Sequence, residues 1–319
     1  MRRGLKPQIG FGRPMKTTFR LMGIADWITL GNGLLGTLSL LFMILAFNGF
    51  ASEDGSHLTE VYIWLAMLFI MLSGLGDIID GPIARRYSKN RHLGSYLDLM
   101  SDSVSFGVAP ALLVFGMFSR WGQATPYWTI PLAVACCWVV IAAMLRLARF
   151  QHESDEAYPW FHGLASPGSA MLLLSLAGLV WVQPQALGPG PFEWRFGAGD
   201  HPAFDWLLFP GCMLAGMLMI SDRRLPKHKG GLGLKLTALM LLSLLVAICI
   251  QVAGYHQGRG ADISFVLFAT SLTIMVIHVV SGPMMCAREW GSTEDQVEVA
   301  MSKILDTADA VLGIQHESE

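Results

Sequence analysis

The sequence predicts an all-α polytopic membrane protein with eight spanning helices. Three observations predict it. Charged residues make up only 14% of the chain, mean hydropathy is +0.48, and apolar runs of spanning length recur from residue 28 to residue 284. A soluble domain carries about 25% charged residues, so lipid is the solvent for most of this surface. The net charge of −2 gives no footprint for nucleic acid. Cys136, Cys137, Cys212, Cys249 and Cys286 show neither metal-ligand spacing nor a disulfide framework. They read as small apolar residues.

A spanning helix needs about 20 mainly apolar residues. The runs fall at roughly 28–50, 60–82, 96–118, 126–149, 164–183, 204–221, 233–254 and 262–284. The second and third contain aspartates, yet VYIWLAMLFIMLSGLG and VSFGVAPALLVFGMF keep them apolar enough to span. GLASPG interrupts the start of the fifth. Residues 1–27 form a basic segment, and 16–27 suits a short interfacial helix as well as an irregular anchor. Residues 184–203, with Pro184, Pro189 and Pro191, read as a loop. In the tail, Val297, Met301, Ile304, Leu305, Ala308, Val311 and Leu312 recur at helical spacing, and Ser292 to Asp295 resembles a capping box. No cleavable signal peptide is evident, because a full-length apolar helix follows the basic N-terminal residues.

Basic residues near span ends set direction. Arg2, Arg3, Lys6, Arg13, Lys16 and Arg20 precede the first span. Arg86, Lys89 and Arg91 surround the second-to-third connection, and Arg223, Arg224, Lys227, Lys229 and Lys235 the sixth-to-seventh. All these fall on one side of an eight-span chain, while the loop ASEDGSHLTE opposite them is acidic. The expectation is a multi-pass protein of the plasma (inner) membrane with both termini and the acidic site cytoplasmic.

The stretch GDIIDGPIARRYSKNRHLGSYLDLMSDSVSFG, residues 76–107, concentrates the chemistry. Asp77, Asp80, Gly81 and Ala84 share one helical face, as do Gly94, Asp98 and Asp102. An antiparallel hairpin turning near Lys89 sets Asp80 level with Asp98 and Asp77 level with Asp102. Four carboxylates in one pocket repel one another and are costly near lipid. A divalent cation removes that cost, and oxygen ligands favour magnesium, manganese or calcium over zinc. Gly81, Ala84 and Gly94 leave room for a bulky ligand or let the helices pack closely. Arg85 sits beside the acids, where it suits an acid or a phosphate. Structural ion pairs or a cation path would also use intramembrane acids. A path needs polar residues through the whole membrane depth, whereas the first, seventh and eighth runs are almost wholly apolar at their centres.

The pattern Asp-x2-Asp-Gly-x2-Ala-Arg, eight residues, Gly-x3-Asp-x3-Asp, from Asp77 to Asp102, resembles the signature of the CDP-alcohol phosphatidyltransferase family at every fixed position. The likeness covers about residues 24–230. It implies a six-helix core over 28–230; the last two apolar runs lie beyond that core as two additional C-terminal transmembrane helices over 231–285, and the helical spacing of the tail makes 286–319 a cytoplasmic amphipathic tail. It also implies a homodimer and a reaction that moves a phosphatidyl-type group from a CDP-linked lipid to an alcohol, releasing CMP. Carried over, it makes Asp77, Asp80 and Asp98 metal ligands, and Asp102 a shared ligand and the base. Gly81, Ala84, Arg85 and Gly94 would shape the nucleotide and phosphate pocket. ITLGNGLLG resembles the family's Thr-x2-Asn-x3-Gly element, which sets Thr29, Asn32 and Gly36 beside the CDP group.

VSFGVAPA, LRLARF, HGLASPGSA and SDRRLPK resemble the phosphatidylserine synthase branch, in the same order. Gln151 and Ala165 depart from it, where asparagine and proline are usual. The likeness implies L-serine as acceptor and CDP-diacylglycerol or CDP-archaeol as donor. Arg146 and Arg149, at the end of the fourth span, suit the serine carboxylate. They suit a glycerol phosphate or inositol phosphate acceptor too, and positive-inside anchoring as well.

Overall fold

A computed structural model of the chain describes residues 23–51, 57–87, 91–119, 126–152, 160–182, 205–226, 231–255 and 259–312. Helix α1 is Ile24–Ala51 and α2 is His57–Tyr87. Helix α3, Arg91–Asp102, runs through a π-helical turn, Ser103–Val108, into α4, Ala109–Phe118. Helix α5 is Pro126–His152, and the short strand β1, Trp160–His162, leads into α6, Ser166–Trp181. A 3-10 turn, Asp205–Leu207, opens α7, Leu208–Ile220, and β2, Arg224–Pro226, follows. The chain ends in α8, Gly231–Val252, and α9, Arg259–Leu312.

The all-α polytopic expectation is borne out. Among the described residues, six stretches are long and apolar enough to cross a bilayer, and Ser166–Trp181 and Asp205–Ile220 are shorter apolar helices. Large apolar side chains such as Leu34, Ile130, Val134, Leu242 and Val266 stay exposed on the bundle, the outer surface that lipid requires. Asp26 opens α1 by accepting the Gly23 N–H at 2.7 Å, which satisfies a donor that the first helical turn leaves open.

Helix α1 packs along α2 and α3, α5 along α7, and α6 against α7. The core between them is filled by Ile63, Met67, Ile70, Phe106, Leu113, Leu132, Val139 and Leu173, all at most 1% exposed. The last two helices close on this core, α8 against α2 and α9 against α6. Trp64 of α2 stacks on Phe268 of α9 at 6.0 Å between ring centroids. Gly178 of α6 leaves the space that the Phe268 ring fills. The Ser175 and Ser271 hydroxyls bond across α6 and α9 at 2.9 Å, which keeps both polar groups satisfied away from water.

Three features were not expected. The third apolar run is not one regular helix. Pro110 has no N–H, and in a regular α-helix its ring collides with the carbonyl four residues back. The π turn over Ser103–Val108 widens the backbone there, with the Ala109 N–H bonding the Val104 carbonyl. The second feature is a ribbon: β1 pairs antiparallel with β2, Phe161 opposite Leu225. It fastens the α5–α6 connection to the end of α7. Gly163, at φ 71°, donates to the Arg223 carbonyl at 2.8 Å, and Leu164 donates to the Leu218 carbonyl at 2.9 Å. A Cβ at Gly163 would stand 2.6–2.9 Å from the carbonyl oxygens of Met219, Ser221 and Leu218, so no other residue fits this turn. The third feature is α9, which carries the eighth apolar run and the tail through to Leu312 as one helix, with Pro283 inside it. The side chains of 288–312 lie outside the described residues, and so does the interfacial segment 16–22.

Candidate metal centre

Carboxylates of the two acid-bearing helices converge as their spacing predicts. On α3, Asp98 and Asp102 are one turn apart and share a face. Asp77, on α2, faces both. Carboxylate oxygens of Asp77, Asp98 and Asp102 all lie within 4.8 Å of one another, and each residue is half-buried. Ligand oxygens about 2.0–2.6 Å from one ion stand up to about 5 Å apart. This donor set, all hard oxygen, therefore fits a divalent cation. Asp80, Gly81, Ala84 and Arg85 belong to α2, but their side chains lie outside the described residues. Gly94 is half-buried in the first turn of α3.

Helix α1 frames the centre. Thr29 and Asn32 are 7% and 5% exposed, so this polar pair is enclosed among the helices rather than turned to lipid. Ser101, beside Asp102, donates to the Thr29 carbonyl at 3.0 Å. Ser105, in the π turn, donates to the Asn32 carbonyl at 3.1 Å, and Ser73 of α2 donates to the same carbonyl at 3.2 Å. Glycines permit the approach. A Cβ on Gly36 would collide with the Ser105 hydroxyl and stand 2.9 Å from the Ser105 Cα. A Cβ on Gly76 would collide with the Asn32 amide oxygen. The structure thus brings Thr29, Asn32 and Gly36 against the helices that carry the acids.

The end of α5 reaches the same hairpin. The Ser95 hydroxyl, one residue past Gly94, bonds Gln151 Oε1 at 2.5 Å. Arg146 is 6% exposed, with its guanidinium 5.2 Å from the Phe150 ring centroid. Arg149 pairs with Asp222 at 2.6 Å, which ties α5 to the segment that leads into β2. Reasoning from sequence overlooked Ser73, Ser101, Ser105 and Asp222, and it noted Gln151 only as a departure from the branch pattern. The first three had a signal: Ser73 lies four residues before Asp77, and Ser101 and Ser105 flank Asp102. They are hydroxyls at helical spacing from acids inside apolar runs.

Residues 22–196, more than half of the chain, match the CDP-alcohol phosphatidyltransferase family. A CDP-diacylglycerol–serine O-phosphatidyltransferase of Saccharomyces cerevisiae is 31% identical over 166 residues, 50% of this chain and 54% of that protein. One of Mycobacterium bovis is 32% identical over 121 residues, 36% of this chain and 40% of that protein. One of Methanocaldococcus jannaschii is 28% identical over 229 residues, 72% of this chain and 86% of that protein. The chain thus spans about half the length, or less, of the first two.

Proposed function

The chain belongs to the CDP-alcohol phosphatidyltransferase family, and from that premise we propose that it transfers a phosphatidyl-type group from a CDP-linked lipid to the hydroxyl of L-serine, releasing CMP. The observation that carries the reading is the convergence of Asp77, Asp98 and Asp102 at one end of a membrane bundle. Support for serine comes from the names of the relatives and from two arginines near the end of α5.

Asp77, Asp80 and Asp98 would hold the divalent ion, with Asp102 sharing the site, and the bound ion would neutralise pyrophosphate oxygens and make CMP a better leaving group. Thr29, Asn32 and the small residues Gly81, Ala84 and Gly94 receive the CDP portion, and Arg85 pairs with phosphate. Asp102 accepts the proton of the serine hydroxyl as its oxygen forms a bond to the lipid-bearing phosphorus. The bond from that phosphorus to the CMP oxygen breaks in the same displacement. No covalent protein nucleophile is used. The assay is CMP release with serine, glycerol 3-phosphate, inositol phosphate and no acceptor, each with magnesium and with manganese. Release that depends on CDP-lipid and serine together supports the reading, and release only with a phosphorylated acceptor reassigns the substrate.

The acceptor's carboxylate is assigned to Arg146 or Arg149. Lysine keeps the charge but loses the planar fork that binds a carboxylate through two hydrogen bonds. Arg→Lys at the residue concerned is expected to raise the serine KM roughly ten-fold and leave the CDP-lipid KM within about two-fold. Because Asp222 already occupies Arg149, Asp222→Asn measured alongside separates loss of that pair from loss of serine. Equal changes for both substrates, or none at either arginine, would count against the assignment.

The basic segments support a cytoplasmic acid end of the bundle. Cysteines at Asn90 and Gly199, both outside the described residues, test this in intact cells. The native thiols Cys137 and Cys249 are exposed and must be replaced first. An impermeant maleimide is expected to label position 199 and spare position 90; the reverse pattern would invert the topology and remove the cytoplasmic mechanism.

A further inference from the structure

Directly below the acid cluster, two hydroxyls from different helices converge on one backbone oxygen. Ser73 lies four residues from Asp77 on α2, one helical turn away. Ser105 lies three residues beyond Asp102, in the π turn. Both are fully buried and both donate to the Asn32 carbonyl, at 3.2 and 3.1 Å. In a regular helix that carbonyl already accepts from the residue four ahead, Gly36. Gly36 is also the residue whose missing side chain lets Ser105 approach. The π turn sets the position of Ser105 relative to Asp102, since it changes the rotation per residue between them.

We propose that Ser73 and Ser105 are positioning residues for the metal centre: through the shared Asn32 carbonyl they fix the separation of Asp77 from Asp102. The proposal rests on the reading of the acids as metal ligands. The physical reason is that two helices in lipid have no hydrophobic force to set their register, so close packing and interhelical hydrogen bonds set it. Here the carbonyl of a third helix serves as a common reference for both. Ligand carboxylates must be held to within about 0.5 Å for full metal affinity, and a one-residue slip of either helix against α1, about 1.5 Å, exceeds that.

The test is Mn2+ binding to the purified full chain in nanodiscs, read by the free-ion electron paramagnetic resonance signal with no substrate present. Ser73→Ala and Ser105→Ala are each expected to weaken Mn2+ binding roughly five-fold, the scale of one hydrogen bond. Because the two hydroxyls act through one carbonyl, the double variant should fall clearly short of the product of the two losses. The serine KM should stay unchanged in both single variants at saturating Mn2+, which a general loosening of the bundle would not allow. Where an alanine variant fails to fold, Ser73→Cys or Ser105→Cys keeps the shape with a weaker donor, and Mn2+ binding should still fall. Unchanged Mn2+ affinity in the folded variants, or losses that multiply in the double variant, would overturn the proposal. Asp77→Asn is the control. Mn2+ binding by the unaltered chain that survives Asp77→Asn, or no binding at all, overturns the metal-centre reading and the proposal with it, whereas binding lost in Asp77→Asn and untouched in the serine variants overturns the proposal alone.

Discussion

Asp77→Asn is expected to abolish metal-dependent binding of the CDP-lipid and to lower turnover on the order of 10^3-fold, the scale on which removing one preorganised charge-stabilising group acts. Asp77 is the single described acid that α2 contributes to the cluster, and it faces both Asp98 and Asp102. The change preserves size and removes one negative charge. The two carboxylates one turn apart on α3 and the proposed ligand Asp80 remain, a weaker donor set for a hard cation. The donor's pyrophosphate then meets uncompensated acids rather than a cation, so binding fails before chemistry does. Isothermal calorimetry of CDP-lipid binding with and without Mn2+, paired with single-turnover CMP release, measures both effects. Donor binding by Asp77→Asn as tight as that of the unaltered chain would remove Asp77 from the metal centre.

The hairpin was legible in the sequence because helical period alone fixes which residues share a face. Asp98 and Asp102 are four apart, Asp77 lies about as far from the turn as Asp102 does, and the three carboxylates converge. The apolar runs were legible for a similar reason, since length and hydropathy are local properties. What escaped was set by contacts between distant segments. The Ser73 and Ser105 hydroxyls look like ordinary polar interruptions until α1 is seen to offer both the Asn32 carbonyl. The β1–β2 ribbon depends on pairing residues more than sixty positions apart, around a turn that only Gly163 tolerates. The π turn follows from Pro110, a local signal, but how the backbone relieves a proline depends on the packing around it.

The ribbon and the last two helices bear on the site indirectly. The Arg149–Asp222 pair joins the end of α5 to the end of α7, and the Gly163–Arg223 hydrogen bond joins the α5–α6 connection to the same segment. The Ser95–Gln151 bond joins α5 to the acid helix α3. The arginine-bearing helix is therefore fastened on two sides near its end. Helices α8 and α9 cover the face of α2 and α6 through Trp64, Phe268 and the Ser175–Ser271 bond.

Asp102→Asn is expected to cost about as much turnover as Asp77→Asn, on the order of 10^3-fold, while leaving CDP-lipid binding in the presence of Mn2+ within about ten-fold of normal. The contrast follows from position. Asp102 is the last acid of the row, at the junction of α3 and the π turn, with its backbone neighbour Ser101 tied to the Thr29 carbonyl. Its oxygen lies within ligand reach of Asp77 and Asp98, so it shares the ion's field without being its sole support. The proposed mechanism gives that carboxylate the proton of the hydroxyl that attacks the donor phosphorus, and asparagine of the same size takes none. Asp77 and Asp98, from two helices, and the proposed ligand Asp80 are kept in this variant, which is why donor binding is expected to persist. The same calorimetry and single-turnover release separate the outcomes. Near-normal release of CMP by Asp102→Asn would remove Asp102 as the base. Loss of donor binding as complete as in Asp77→Asn would make it chiefly a metal ligand and move the proton acceptor to another acid of the row.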